Sequence, residues 1–313
     1  MKIAGSPTLV PQRHRNSADH AAVLDGIDFN KFKPTKHFTQ DNADILGRLA
    51  SGSYSDPADQ QAHLPAGTKF TFLDSKNNAS LGIPAPDSGT QVTLIETKKA
   101  LLVAARGTSP PWSGENSDDS EWKDFETDMV AVPVTNYDGS GKVHKGFKDG
   151  ADGIWDQLKP HLETALKTHK AIHMSGHSLG GAIALLLADR MVFETGAIPD
   201  SVIRMGAPDT GWKEQAKHLE EVGIAGRTYN FKNCTDPVPG ILKGSVEAGK
   251  EIYFNRHGLA DISGGDHKLD KTLGAGGDVF HGHPDPTHRH ACLGYNVLIS
   301  SRDNTAVLKQ VEN

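Results

Sequence analysis

The chain has 313 residues, room for one large α/β domain or two small ones, and 36% hydrophobic against 23% charged residues is a globular rather than a disordered composition. A formal net charge of −6 argues against a nucleic-acid binder, whose footprint is basic. No stretch approaches the roughly 20 apolar residues that a membrane-spanning helix needs.

Residues 1–36 are rich in charge, proline and histidine and read as an irregular arm or cover, which leaves 37–313 as a single domain. The opening MKIAGSPTLVPQRHRNS lacks the apolar run of about 7–15 residues that marks a secretory signal. A cytoplasmic location is therefore expected, or secretion by a route without a cleavable signal. FTQDNADILGRLASGSY (38–54) reads as a short helix that Pro57 ends. QVTLIET (91–97) and ALLVAARG (100–107) are β-rich runs joined by a lysine pair, a hairpin leading into a buried strand.

In GFKDGADGIWDQLKPHLETALKTHK (146–170), Ile154, Leu158, Leu162 and Leu166 recur at helical spacing, with Pro160 inside as a candidate kink. AIHMS (171–175) is a strand, and LGGAIALLLADRMVFE is an apolar helix ended by Gly196 and Pro199. DSVIRMGAP (200–208) and RTYNFKN (227–233) are two further strands. Strands alternating with helices indicate an α/β fold, a sheet covered on both faces. Residues 240–289 turn Gly-, His- and Asp-rich with little periodicity and read as a long surface excursion.

The segment SGHSLGGAIA (175–184) carries the chemistry. Strand, Gly-His-Ser-Leu-Gly, then helix is the nucleophile-elbow arrangement, in which a strained turn projects the serine hydroxyl above the sheet. Gly176 and Gly180 let strand and helix approach, and the helix start directs N–H groups at an anion forming beside Ser178. The plain alternative is a helix-capping serine. A nucleophilic hydroxyl needs a base and the base an orienting carboxylate, in the chain order Ser, acid, His. Asp236, in NCTDPVPG directly after a strand, is the candidate acid, with Asp209 as competitor. Six histidines lie beyond it: His257, His267, His281, His283, His288 and His290. The spacing of HGHPDPTHRH fits no standard zinc pattern.

Six motifs in order then resemble the class 3 lipase family of α/β hydrolases. AARGT (104–108) is similar to that family's strand followed by R-G-T, and DFETDM (124–129) to its D-W-L-T-D-L. GKVHKGF (141–147) resembles G-x-V-H-x-G-F, and SGHSLGGA, MGAP and NCTDPVP follow. The resemblance implies an α/β-hydrolase fold, a mixed, mostly parallel sheet with helices on both faces, and hydrolysis of lipid esters without a cofactor. It implies Ser178 as nucleophile, Asp236 as triad acid, and Thr108 with the Leu179 N–H as oxyanion donors. His290 becomes the base, with Tyr295 as the aromatic five residues on; His288, His281 and His283 stay as alternatives. His144 and His177 are expected to hydrogen-bond around the site.

In the family a short segment after R-G-T forms the lid. Here residues 109–123 are longer, strongly acidic in the second half, and offer Trp112 as the one large apolar group for an interface. That acidity should repel anionic surfaces, so neutral or zwitterionic esters are the expected substrates. The two cysteines are too few for a disulfide framework. Cys234 lies two residues before Asp236 and Cys292 two after His290, so a bridge clamping acid loop to base loop is one hypothesis. A triacylglycerol lipase is the leading expectation and a phospholipase A1 the runner-up. Other serine-elbow chemistries, such as feruloyl ester hydrolysis or acyl transfer, stay open, and so does a catalytically inactive lipid-binding module. Labelling by a fluorophosphonate separates enzyme from binding module.

Overall fold

A computed structural model describes residues 20–107, 132–234, 236–255, 258–262 and 292–311. The helices are α1 (Gln40–Gly52), α2 (Pro57–His63), α3 (Lys145–Lys167), α4 (Leu179–Thr195), α5 (Lys213–Glu221), α6 (Cys292–Ser300) and α7 (Thr305–Val311). The strands are β1 (Lys69–Asp74), β2 (Gln91–Glu96), β3 (Ala100–Ala105), β4 (Pro133–Thr135), β5 (Lys142–His144), β6 (Ala171–His177), β7 (Ser201–Met205), β8 (Thr228–Asn233), β9 (Lys250–Phe254) and β10 (Ala260–Asp261).

Eight strands form one sheet in the order β1-β2-β3-β6-β7-β8-β9-β10, while β4 and β5 pair separately. From β3 to β9 the pairing is parallel, and antiparallel strands close both edges. The central strands explain why both faces are covered. Along β3, Leu101, Val103 and Ala105 enter one core, and Ala100, Leu102 and Ala104 enter the other. A strand apolar at every position must be buried on both sides. One layer is α3 and α4, packed through Phe147, Ile154, Trp155, Leu158 and the α4 side chains. The opposite layer is α1, α6 and α7, through Leu46, Leu49, Tyr295, Ile299 and Leu308.

Pro160 lies inside α3, which continues through it. Pro160 and Asp156 are both exposed, so the Asp156 carbonyl that loses its helical donor faces water rather than the core. Helix α4 ends at Gly196 in the left-handed conformation (φ 68°), whose N–H caps the Val192 carbonyl.

Two stretches differ from the sequence reading. The second half of the expected arm is irregular, but Leu24, Ile27 and Phe32 are buried in the α1-side core, so 20–36 belong to the domain. The expected surface excursion supplies β9 and β10, whose Ile252, Phe254 and Ala260 extend that same core. These strands are short and lie at one end of the sheet, where only every second side chain is buried. The lid segment 109–123 and the histidine-rich stretch 281–290 lie outside the described residues.

Candidate active site

Strand β6 ends at His177 and helix α4 starts at Leu179, so the whole reversal falls on Ser178. Its backbone is at φ 56° and ψ −133°, a region that L-residues other than glycine enter only under constraint. That conformation is enforced from both sides. The Ser178 N–H donates to the Met205 carbonyl at the end of β7 (3.0 Å), and the Ser178 carbonyl accepts from Gly181 (3.0 Å). Ser178 stands at the N-cap of α4, yet its hydroxyl makes no capping hydrogen bond. The capping role weighed from sequence is therefore not the one it plays. Leu179 opens the helix, where the first N–H groups have no intrahelical carbonyl to bind.

The surrounding glycines are required by space. A Cβ on Gly176 would collide with the Gly180 carbonyl, and one on Gly180 with the end of β3, within 2.7 Å of the Arg106 carbonyl carbon. Helix α4 thus lies directly against the strand that leads into Thr108. Thr108 itself, like Trp112 and His290, lies outside the described residues.

Asp236 follows β8 and is buried. Its Oδ1 accepts from the Val238 N–H (2.9 Å), inside the turn set by Pro237 and Pro239. Its Oδ2 accepts from the Tyr295 hydroxyl of α6 (2.6 Å), and that hydroxyl also accepts from the Asn233 N–H (3.0 Å). The acid loop is thereby fastened to the helix that begins two residues after His290. The Tyr295 ring lies 6.1 Å from the ring of His177, the neighbour of Ser178. The fold therefore brings together Ser178, His177, Tyr295 and Asp236, although they come from three separate stretches of chain.

Asp209, the competing carboxylate, is engaged elsewhere. Its Oδ2 accepts from Ser245 Oγ (2.8 Å), and it adds to a buried ionic group with Arg204, Lys232 and Glu247. Burial pushes the Glu247 carboxyl up to about 7, although Lys232 lies 2.9 Å away. His144, expected near the site, is buried against Phe147 (ring centroids 4.2 Å) at the start of α3, and its N–H donates to Thr210. His177 Nδ1 lies 2.9 Å from the hydroxyl of Tyr54, which follows α1. Sequence reasoning did not single out Tyr54, because nothing local marks it. The Cys234–Cys292 bridge rests on a Cys292 side chain outside those described.

A family model described as "Lipase (class 3)" matches residues 102–244, a span that includes Ser178, Leu179 and Asp236. Over that stretch the chain is similar to the class 3 lipases. A lipase of Rhizomucor miehei is 28% identical over 175 residues, which are 54% of this chain and 45% of that protein. A chloroplastic phospholipase A1 of Arabidopsis thaliana is 34% identical over 92 residues, 27% of this chain and 13% of the relative. This chain thus spans less than half the length of these curated relatives. Among solved structures, lipase II from Rhizopus niveus superposes with a TM-score of 0.52 at 22% identity, covering 69% of this chain and 82% of that one. At that identity the likeness concerns the fold, the α/β-hydrolase architecture that the eight-stranded sheet displays. The family match ends before His290 and the helix carrying Tyr295, so the tie between Asp236 and that helix comes from the geometry alone.

Proposed function

We propose that this chain is a serine carboxylic-ester hydrolase acting on lipid esters, with triacylglycerols as its first substrate class. The observation that carries this reading is Ser178: a buried serine at φ 56°, held on the turn between a parallel strand and an apolar helix, with its hydroxyl not spent on a helix cap. Such a turn costs on the order of 1–3 kcal/mol and persists where the surrounding structure over-determines it.

In the proposed reaction His290 takes the proton of the Ser178 hydroxyl as the oxygen attacks the ester carbonyl. Asp236, held by Val238 and Tyr295, orients that imidazole and balances its charge. The oxyanion is received by the Leu179 N–H at the start of α4 and by Thr108; one such donor is commonly worth about 2.7–4 kcal/mol. The imidazolium then protonates the departing alcohol, and water cleaves the acyl-enzyme by the same route.

A second reading, a phospholipase A1, is favoured by the Arabidopsis relative, named as such, whose matching stretch is the more identical of the two. The test is fatty-acid release from a triglyceride emulsion and from phosphatidylcholine vesicles, side by side, with Ser178→Ala as control. Release from the emulsion alone, lost in the variant, supports the lipase. Release from both supports the phospholipase. No release from either, with no fluorophosphonate labelling of Ser178, would leave a lipid-binding module.

A further inference from the structure

Tyr54 lies outside every helix and strand, two residues past α1, yet its turn is tightly held. Its N–H donates to the Ser51 carbonyl (3.2 Å), Ser53 Oγ donates to Ala50 (2.7 Å), and the Ser55 N–H donates to Gly52 (2.9 Å). This fixed base delivers the phenol to two places at once. Its oxygen lies 2.9 Å from His177 Nδ1, with the two rings edge to face at 5.8 Å. It also lies against Gly107: a Cβ there would collide with the Tyr54 hydroxyl and stand 2.6 Å from the His177 carbonyl. Gly107 must therefore be a glycine, because the phenol and the elbow backbone close on it from two sides.

A cation holds the ring as well. The Arg106 guanidinium sits 5.8 Å from the ring centroid, and Arg106 Nη1 donates to Gln91 Oε1 (2.7 Å). Gln91 in turn donates to Asp74 (2.8 Å). Tyr54 thus touches the residue before Ser178 and the end of β3, whose backbone lies under the first turn of α4. Those are the two pieces of chain whose separation sets where the nucleophile stands relative to the start of the oxyanion loop.

We propose that Tyr54 is a positioning residue for the ester hydrolysis inferred above: its hydroxyl, bonded to His177, fixes the serine elbow relative to the Arg106-Gly107 strand end. This rests on the hydrolase reading. Tyr54 acts through His177 and Gly107, and no substrate contact is assigned to it. Its loss should lower kcat and leave KM unchanged, because misplacing reacting groups by about 1 Å can cost on the order of a hundredfold in rate while ground-state binding survives.

The experiment compares wild type, Tyr54→Phe, His177→Gln and the double variant on p-nitrophenyl butyrate, with active sites counted by fluorophosphonate titration. Tyr54→Phe keeps the ring and its packing, so it should titrate fully and melt within a few degrees of wild type. Per titrated site its kcat should fall about tenfold with KM within twofold, and the double variant should be no slower than the slower single one. Unchanged kcat per site in Tyr54→Phe, a loss expressed only in KM, or losses that multiply in the double variant would each overturn the proposal. A wild type that neither labels nor hydrolyses would overturn the hydrolase reading and this inference with it. A wild type that does both, with an unaffected Tyr54→Phe, would overturn this inference alone.

Discussion

The turn at Ser178 and the loop that carries Asp236 could be read because each sits in a local pattern with a local cause. A serine between glycines, after a strand and before an apolar helix, has one stereochemical use for those glycines, and collisions at Gly176 and Gly180 show how little space there is. The side chains that hold these residues were not legible in the same way. Tyr54 meets His177 across 123 positions of sequence, and Tyr295 meets Asp236 across 59. A hydrogen bond at such separation leaves no spacing to find. The Tyr295 bond has a measurable consequence. Asp236→Asn should reduce kcat by a factor on the order of 10⁴ if the carboxylate orients the base. Tyr295→Phe should cost far less, about 1–3 kcal/mol in transition-state stabilisation, since one carboxylate oxygen loses a buried partner. Steady-state kinetics on a soluble ester checks both, and equal losses in the two variants would contradict separate roles for acid and support.

At the scale of elements, α3, α4 and the strands of the central sheet declared themselves through apolar periodicity, whereas β9 and β10 did not. Strands of five and two residues at a sheet edge carry too few apolar positions for a period to emerge. Helix α5 shows a different device, a histidine between two carboxylates. His218 Nε2 meets Asp189 Oδ1 of α4 at 2.7 Å, and its Nδ1 meets Asp138 Oδ2, in the turn between β4 and β5, at 2.9 Å. The Asp189 hydrogen bond raises the His218 imidazole above the usual histidine value against the opposing effect of burial, with the charges of Asp189, Asp138 and Glu221 adding to it. A base whose affinity for its proton is higher in the folded state stabilises that state below the unfolded value, about 6.5, and the contribution is lost as pH rises through the folded one. His218→Gln should therefore be less stable than wild type at pH 6, and the gap should close with rising pH. Thermal melts from pH 6 to 9 check this; a gap that widens with pH would reverse the assignment.

For the whole molecule, charge carries one further expectation. With a net charge of −6 and an acidic stretch within 109–128, the protein should meet anionic surfaces with repulsion. Hydrolysis of phosphatidylcholine vesicles should outpace that of phosphatidylglycerol vesicles several-fold at low ionic strength, and the difference should shrink as salt shortens the Debye length to about 8 Å at 0.15 M. Equal rates at low salt would contradict it. By itself the sequence determined the class of fold, the order of the sheet's central strands along the chain and the serine turn, because these follow from periods and steric demands within a few residues. Tertiary structure alone decided that 20–36 join the core, that β9 and β10 complete the sheet, that Asp236 rather than Asp209 meets the helix after His290, and that Tyr54 joins elbow to strand end. Each of those depends on groups far apart in the chain, and their meeting is set by how the layers pack on the sheet.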